Sequence, residues 1–133
     1  MALGNVLVVD DEADIRKMVK MTLTKAGYNV IDAEDGEKGI AAVKSGGGFS
    51  LSTIICDLAM PKVSGMEAIA YFRSQYPSVP VIVLSGTGTV DKASALFKQG
   101  VVEFLAKPVE PEKLIAAVHK AVKESGYKDD HTT

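Results

Sequence analysis

The sequence is poor in several features that define whole classes of protein. It has one cysteine, so an intrachain disulfide is impossible and a reducing compartment is favoured. No apolar run is long enough to span a bilayer, and the N-terminus lacks a basic region followed by an apolar core. The net charge of −2 gives no electrostatic reason to expect nucleic-acid binding. We therefore expect a cytoplasmic protein that binds neither membranes nor, directly, nucleic acid.

What the chain does contain predicts one globular domain. Its 133 residues, 47% of them hydrophobic and 24% charged, are enough to bury a substantial core. The one low-complexity patch, residues 45–48, has three consecutive glycines and predicts a flexible loop. We expect the last helix to end at Gly126. Residues 1–126 then form the domain, and 127–133 form a polar C-terminal tail.

Five short apolar runs alternate with five segments of helical periodicity. This alternation predicts a parallel sheet covered by helices on both faces. Right-handed crossovers favour the flavodoxin-like strand order 2-1-3-4-5. The predicted strands are 6–9, 28–33, 51–56, 79–84 and 101–106. The predicted helices are 15–26, 35–44, 64–75, a fourth that ends at residue 99, and a fifth that begins at residue 111.

Polar and charged side chains follow four of the predicted strands where each strand ends. In the order 2-1-3-4-5 these four strands are consecutive neighbours, so their ends should meet at one edge of the sheet. The residues are Asp10, Asp11 and Glu12 after the first strand, Asp57 after the third, Ser85, Gly86 and Thr87 after the fourth, and Lys107 after the fifth.

This combination of groups suits phosphoryl chemistry. Carboxylates held close together repel one another, which would raise the pKa of at least one of them. A hard divalent cation such as Mg²⁺ relieves that repulsion and prefers oxygen ligands. A carboxylate beside a cation, a lysine and a hydroxyl can attack a phosphoryl group and hold the product. We therefore interpret Asp57 as a candidate nucleophile.

Taken together, four motifs resemble the receiver domain of two-component response regulators, a CheY-like α/β fold. The match runs from about residue 5 to residue 125, with the motifs in the expected order and spacing. The motifs are Asp10-Asp11, Asp57-Leu58-Ala59-Met60-Pro61 with Gly65, Ser85-Gly86, and Lys107-Pro108.

The resemblance implies a phosphoacceptor site that requires a metal ion. Asp57 would accept the phosphoryl group, and Lys107 would pair with it. Mg²⁺, for which Mn²⁺ could substitute, would be held by Asp11 and Asp57, and by Asp10 mainly through water. The backbone carbonyl of Ala59 would be a further ligand.

The resemblance also implies a switch. Ser85 would move to hydrogen-bond the phosphoryl group, and Phe104 would turn inward when the hydroxyl moves. The Lys107–Pro108 peptide bond would be cis, as proline allows. The surface that changes would comprise the fourth helix, the fifth strand and the last helix.

The implied partners are proteins. The phosphodonor would be a histidine kinase or a histidine phosphotransfer protein, docked near Ile15 and Met18 on the first helix, residues that could equally form the edge of the core. The output would be a downstream protein target or a covalently linked output domain. The chain would be a monomer or a phosphorylation-dependent dimer.

Three other functions are weighed against the receiver. A phosphatase or phosphotransferase of the haloacid-dehalogenase kind needs a second acid two residues after its nucleophile, where this chain has Ala59. A flavodoxin needs a hydroxyl-rich loop after the first strand, where this chain has acids. A protein-interaction module on the same fold, which is never phosphorylated, is the remaining alternative.

The cysteine and the histidines carry no predicted chemistry. Cys56 precedes Asp57 in an apolar run, which indicates a buried structural thiol. His119 lies on the polar side of the last helix and His131 in the tail, and the sequence suggests no partner for either of them.

Overall fold

A computed structural model describes residues 3–47, 51–60, 64–86 and 90–132; for residues 46–47, 90–93 and 125–132 it describes the backbone alone. Strands and helices alternate along the chain. The strands are β1 (Asn5–Val9), β2 (Asn29–Ala33), β3 (Leu51–Cys56), β4 (Val81–Ser85) and β5 (Val101–Ala106). The helices are α1 (Ala13–Lys25), α2 (Gly36–Ala42), α3 (Gly65–Gln75), α4 (Val90–Lys98) and α5 (Pro111–Thr132).

The five strands form one parallel sheet in the order β2-β1-β3-β4-β5. This confirms the predicted flavodoxin-like order, and it places β2 at an edge. Exposure along β2 agrees with that position, since Asn29, Ile31 and Asp32 are exposed. β1 and β3 lie inside the sheet and are almost continuously buried, as expected for strands covered on both faces.

Alternating side chains of the strands supply two hydrophobic cores, one on each face of the sheet. In β1, Leu7 and Val9 face the core formed with α2, α3 and α4, whereas Val6 and Val8 face the core formed with α1 and α5. Among residues 94–98 of α4, Leu96 alone is buried, and Phe97 is 49% exposed.

Local signals explain where several helices begin and end. α1 ends before Gly27 and α4 before Gly100, and both glycines have a positive φ, 107° and 102°, which L-residues with a Cβ rarely adopt. Ser64 and Glu67 have the sequence pattern of a capping box, and the Ser64 side chain caps α3 by accepting a hydrogen bond from the Glu67 N–H. The Glu67 carboxylate accepts a hydrogen bond from the Ser64 hydroxyl.

Most predicted bounds differ from the observed ones by no more than two residues; β4, predicted as 79–84, is Val81–Ser85 and so includes Ser85. Two predictions were wrong by more than such a shift. The glycine patch predicted as a loop is a π-helical turn over Val43–Gly47, with the Ser45 hydroxyl donating to the Ala42 carbonyl; Gly48 lies outside the described residues. α5 does not end at Gly126 but continues to Thr132, because an interior glycine costs a helix only about 1 kcal/mol and does not forbid it. The assignment of 127–133 as a tail outside the domain stays a prediction.

On α5, Leu114 and Val118 are buried and Ile115 and Val122 are half-buried. Pro61 of the predicted motif around Asp57 and Thr87 of the predicted strand-end group lie outside the described residues. Within the described ranges, no helix combines the length and apolar character needed to cross a membrane.

Candidate phosphoacceptor site

Asp57 follows the last residue of β3 and is held there by the backbone. Its N–H donates to the Val9 carbonyl at 2.9 Å, which extends the pairing of β1 and β3 by one residue. One carboxylate oxygen, Oδ1, accepts a hydrogen bond from the Ala59 N–H at 3.2 Å. The residue is 3% exposed, so its carboxylate sits in a recess at the carboxyl edge of the sheet.

Gly65 brings the start of α3 directly against the backbone that carries Asp57. A Cβ at Gly65 would lie 2.1 Å from the Asp57 carbonyl oxygen and 2.3 Å from the Leu58 Cα. The Gly65 N–H donates to the Leu58 carbonyl at 3.0 Å. The turn after the candidate nucleophile therefore closes so tightly that no side chain fits at this position.

The acidic residues after β1 differ in their exposure. Asp10 is 1% exposed, and its Oδ1 accepts a hydrogen bond from the Glu12 N–H at 2.9 Å. Asp11 and Glu12 are exposed. Arg16 fixes the turn from the other side, because its Nη1 donates to the Asp10 carbonyl at 2.8 Å.

Lys107 contacts three carboxylates of the recess. Its Nζ lies 2.7 Å from Glu12 Oε1, 2.8 Å from Asp10 Oδ2 and 3.3 Å from Asp57 Oδ2. The backbone holds the lysine in place, since the Lys107 N–H donates to the Ser85 carbonyl at 2.9 Å. The Lys107–Pro108 peptide bond is cis.

The electrostatics of the recess follow from burial and pairing. Burial raises the pKa of the Asp10 carboxyl above its ordinary value, and the contacts with Lys107 and the Glu12 N–H offset only part of that effect. For Lys107, burial lowers the pKa, but hydrogen bonds to Asp10 and Glu12 and the charges of Asp10 and Asp57 raise it further than burial lowers it. The ammonium is therefore charged at neutral pH.

The predicted switch residues lie on β4, which pairs with β3, and on β5, which pairs with β4. Ser85 ends β4 and is buried, and Phe104 is half-buried on β5, where it packs against the core shared with α2, α3 and α4. In the sheet register Phe104 pairs with Val83, two residues before Ser85. The roles of both residues as switch elements stay predictions.

The residues present fit a hard divalent cation. One carboxylate oxygen from each of Asp10, Asp11, Glu12 and Asp57 lies within 4.8 Å of the others. Asp10 Oδ2 is buried and lies 2.8 Å from the Lys107 ammonium. An all-oxygen set of closely spaced carboxylates suits Mg²⁺. The carbonyl of Ala59 as a further ligand stays a prediction.

Sequence reasoning missed the role of Glu12 and a partner of His119. Glu12 was noted only as one of three acids, yet it makes the shortest contact with Lys107. His119 does have a partner, because its Nδ1 hydrogen-bonds the hydroxyl of Tyr28, which is 3% exposed. Cys56 is fully buried, and burial raises the pKa of its thiol, which leaves it unreactive as expected.

The fold is an open parallel sheet, and the site is an acidic recess with a lysine at the carboxyl edge of that sheet. Fold and site together define the class to which the protein belongs. The sequence profile described as the response regulator receiver domain matches residues 6–119. The chain therefore belongs to the response regulator receiver family of two-component signalling systems.

Similar proteins agree with this assignment. The transcriptional regulatory protein GlrR of Escherichia coli K12 is 33% identical over 96% of this chain, and FixJ of Bradyrhizobium diazoefficiens is 30% identical over 92%. The chain spans 28% of the length of the first and 58% of the second.

Solved structures show the same fold over nearly their whole length. A response regulator receiver domain protein from Clostridium thermocellum superposes with a TM-score of 0.88 at 31% identity, covering 93% of this chain and 98% of that one. The chemotaxis protein CheY4 of Vibrio cholerae gives 0.81 at 34% identity, covering 90% and 99%.

Proposed function

We propose that this chain accepts a phosphoryl group on Asp57 and thereby changes the surface formed by α4, β5 and α5. The observation that carries the proposal is the buried Asp57 carboxylate, 3.3 Å from the Lys107 ammonium and grouped with three further acids. A strand-end carboxylate with no such companions would be an ordinary solvated acid.

The proposed step is a transfer from a phosphorylated histidine of a kinase or phosphotransfer protein. A carboxylate oxygen of Asp57 attacks the phosphorus, the P–N bond breaks, and its electron pair stays on the imidazole nitrogen, which takes up a proton. Ala59 orients the carboxylate through its N–H, and Lys107 pairs with the negative charge of the transferred group. Small phosphate donors would react by the same attack.

Asp10, Asp11 and Asp57 would hold Mg²⁺, or Mn²⁺ in its place, which would supply positive charge to the phosphoryl oxygens. Ser85 would then donate its hydroxyl hydrogen bond to the phosphoryl group, and Phe104 would turn into the space that Ser85 leaves. Ser85 lies on β4, which is adjacent to β3, and Phe104 lies on β5, which is adjacent to β4. The change would therefore reach β5.

The proposed donor docks on α1. Met18 is half-buried and Met21 is 51% exposed, and together they give the helix an apolar strip close to the acidic recess. A shallow groove of about 320 Å³ runs along this face. It is lined by Asp14, Lys17, Met18, Met21, Thr22 and Lys25. Apolar strips with a charged rim are typical of helix-to-helix recognition.

The proposed output is a protein. Relatives such as GlrR and FixJ are named as transcriptional regulatory proteins and are longer than this chain, so a linked output domain and a separate protein target are both consistent with them. We place the chain in the cytoplasm and expect a monomer or a phosphorylation-dependent dimer. A protein-interaction module on this fold that is never phosphorylated is the alternative, and the intact acidic recess disfavours it.

An intact mass spectrum after incubation with acetyl phosphate and Mg²⁺ tests the proposal. We expect one added phosphoryl group, which is lost in Asp57→Asn and in the presence of a chelator. Glu37→Gln, which removes an exposed acid from the first turn of α2, is the matched control and should be phosphorylated normally. If the folded protein takes no phosphoryl group from acetyl phosphate or from a cognate donor, the interaction module is the better interpretation.

A further inference from the structure

Glu12 occupies the N-cap position of α1 but does not cap it. Its backbone is extended, as an N-cap residue requires, yet its side chain accepts no hydrogen bond from the first turn. Its Oε1 lies instead 2.7 Å from Lys107 Nζ, 95 residues along the chain. A serine or aspartate at this position would stabilise the helix more. The contact that the glutamate side chain makes is with the lysine.

The three carboxylates around Lys107 differ in how easily they can release it. The side chains of Asp10 and Asp57 are 1% and 4% exposed, whereas that of Glu12 is 58% exposed. Backbone N–H groups of Glu12 and Ala59 also fix the two aspartates. A buried carboxylate that loses its cation is left uncompensated, but an exposed one returns to water at small cost.

We propose that Glu12 is a positioning residue that holds the Lys107 ammonium in its resting place and gives it up when a phosphoryl group occupies Asp57. This inference rests on the phosphoacceptor function proposed above. An ammonium has three N–H donors, and in the resting protein three carboxylates surround it. Forming the acyl phosphate replaces the single negative charge of the Asp57 carboxylate by up to two negative charges on the phosphoryl oxygens, which lie beyond it. To follow that charge the lysine must lengthen its contact with Asp10 or Glu12, and Glu12 is the partner that is free to leave.

The proposal predicts that Glu12→Gln binds a phosphoryl mimic more tightly than the wild type does. The variant removes a charged contact from the resting state and none from the state in which Lys107 has moved. The phosphoryl-bound state therefore gains relative to the resting state. Since an ion pair with one exposed partner is worth little, we expect a gain of about threefold in affinity for a phosphoryl mimic.

Binding of beryllium trifluoride, a tetrahedral mimic of a phosphoryl group, measures this gain. Titrations at saturating Mg²⁺, after the Mg²⁺ affinity of each variant has been determined separately, compare the wild type, Glu12→Gln and Glu37→Gln. Glu37 is an exposed acid in the first turn of α2, so its variant makes the same change in side chain and net charge away from the recess and the α1 groove. We expect tighter binding in Glu12→Gln and unchanged binding in Glu37→Gln. Equal or weaker binding in Glu12→Gln, or the same gain in both variants, overturns the proposal.

The reactivity of Lys107 reports the resting contact without any metal or phosphoryl group. With a chelator present, limited acetylation by acetic anhydride followed by peptide mass spectrometry gives the rate at Lys107. We expect this rate to rise about threefold in Glu12→Gln and to stay constant in Glu37→Gln. An unchanged rate in Glu12→Gln overturns the proposal.

The two experiments also separate this inference from the function on which it rests. If the wild type neither binds the fluoride mimic nor takes a phosphoryl group from acetyl phosphate, the phosphoacceptor function itself fails. If the wild type does both and Glu12→Gln matches it, only the role of Glu12 fails.

Discussion

Replacing Gly65 by alanine should destabilise the protein at the turn that holds the candidate nucleophile. The added Cβ would lie 2.1 Å from the Asp57 carbonyl oxygen and 2.3 Å from the Leu58 Cα, and contacts under 3.0 Å force one group to move. Both neighbours are backbone atoms of the turn that follows β3, so no flexible side chain can absorb the shift. Overpacking of this kind costs about 1–3 kcal/mol, and we expect the upper end of that range.

Urea unfolding in the absence of Mg²⁺ measures the loss. With a slope of about 2 kcal/mol per molar urea, a loss of about 3 kcal/mol lowers the unfolding midpoint by roughly 1.5 M. Because the turn also positions the Asp57 carboxylate, the rate of phosphorylation by acetyl phosphate should fall as well. Both effects follow from one displacement, so they should appear together.

Gly86→Ala is the matched control for stability. A Cβ at Gly86 meets nothing within 4 Å, so this change should alter the free energy of unfolding by no more than about 0.5 kcal/mol. If Gly65→Ala is as stable as Gly86→Ala, the close approach of α3 to the β3 turn does not constrain the folded protein, and the reasoning is refuted.

Two further predictions concern buried polar groups. Burial raises the pKa of Asp10 in the folded protein, so ionisation of this carboxyl destabilises the fold as the pH rises through that pKa. Asp10→Asn should therefore stabilise the metal-free protein near pH 7 by on the order of 1 kcal/mol. Measured by urea unfolding, this gain should vanish near pH 4. A gain that persists at acid pH would contradict this. Tyr28→Phe and His119→Ala should each cost about 1 kcal/mol, and a double-mutant cycle should show that the two losses do not add. Additive losses would mean that the hydrogen bond contributes nothing.

Much of the fold follows from local sequence signals. β3 and β5 have the predicted bounds because each is a short apolar run between chain-breaking or polar residues. Gly27 and Gly100 mark helix ends because the positive φ that closes each helix suits glycine. The acidic recess could be expected for a similar reason: parallel strands in the order 2-1-3-4-5 bring their carboxyl ends to one edge.

The missed features depend on contacts that no local pattern encodes. Glu12 and Lys107 are 95 residues apart, and Tyr28 and His119 are 91 apart, so neither pairing is visible before the chain is folded. Periodicity placed His119 on the polar side of α5, and it is indeed exposed, but exposure of the ring does not prevent one nitrogen from reaching a buried hydroxyl. Gly126 predicts a helix end, but α5 continues past it because an interior glycine destabilises a helix only mildly.

The exposure of residues 94–98 of α4 has a consequence for the range of positions that this segment can adopt. Of the α4 side chains that the structure describes, Leu96 alone is buried, and full burial of a leucine is worth about 1.5–3 kcal/mol. A new hydrogen bond to a charged group contributes about the same, roughly 1.5–3 kcal/mol. If Asp57 accepts a phosphoryl group as proposed, one such hydrogen bond would be enough to shift the ratio of two positions of this segment by about one to two orders of magnitude.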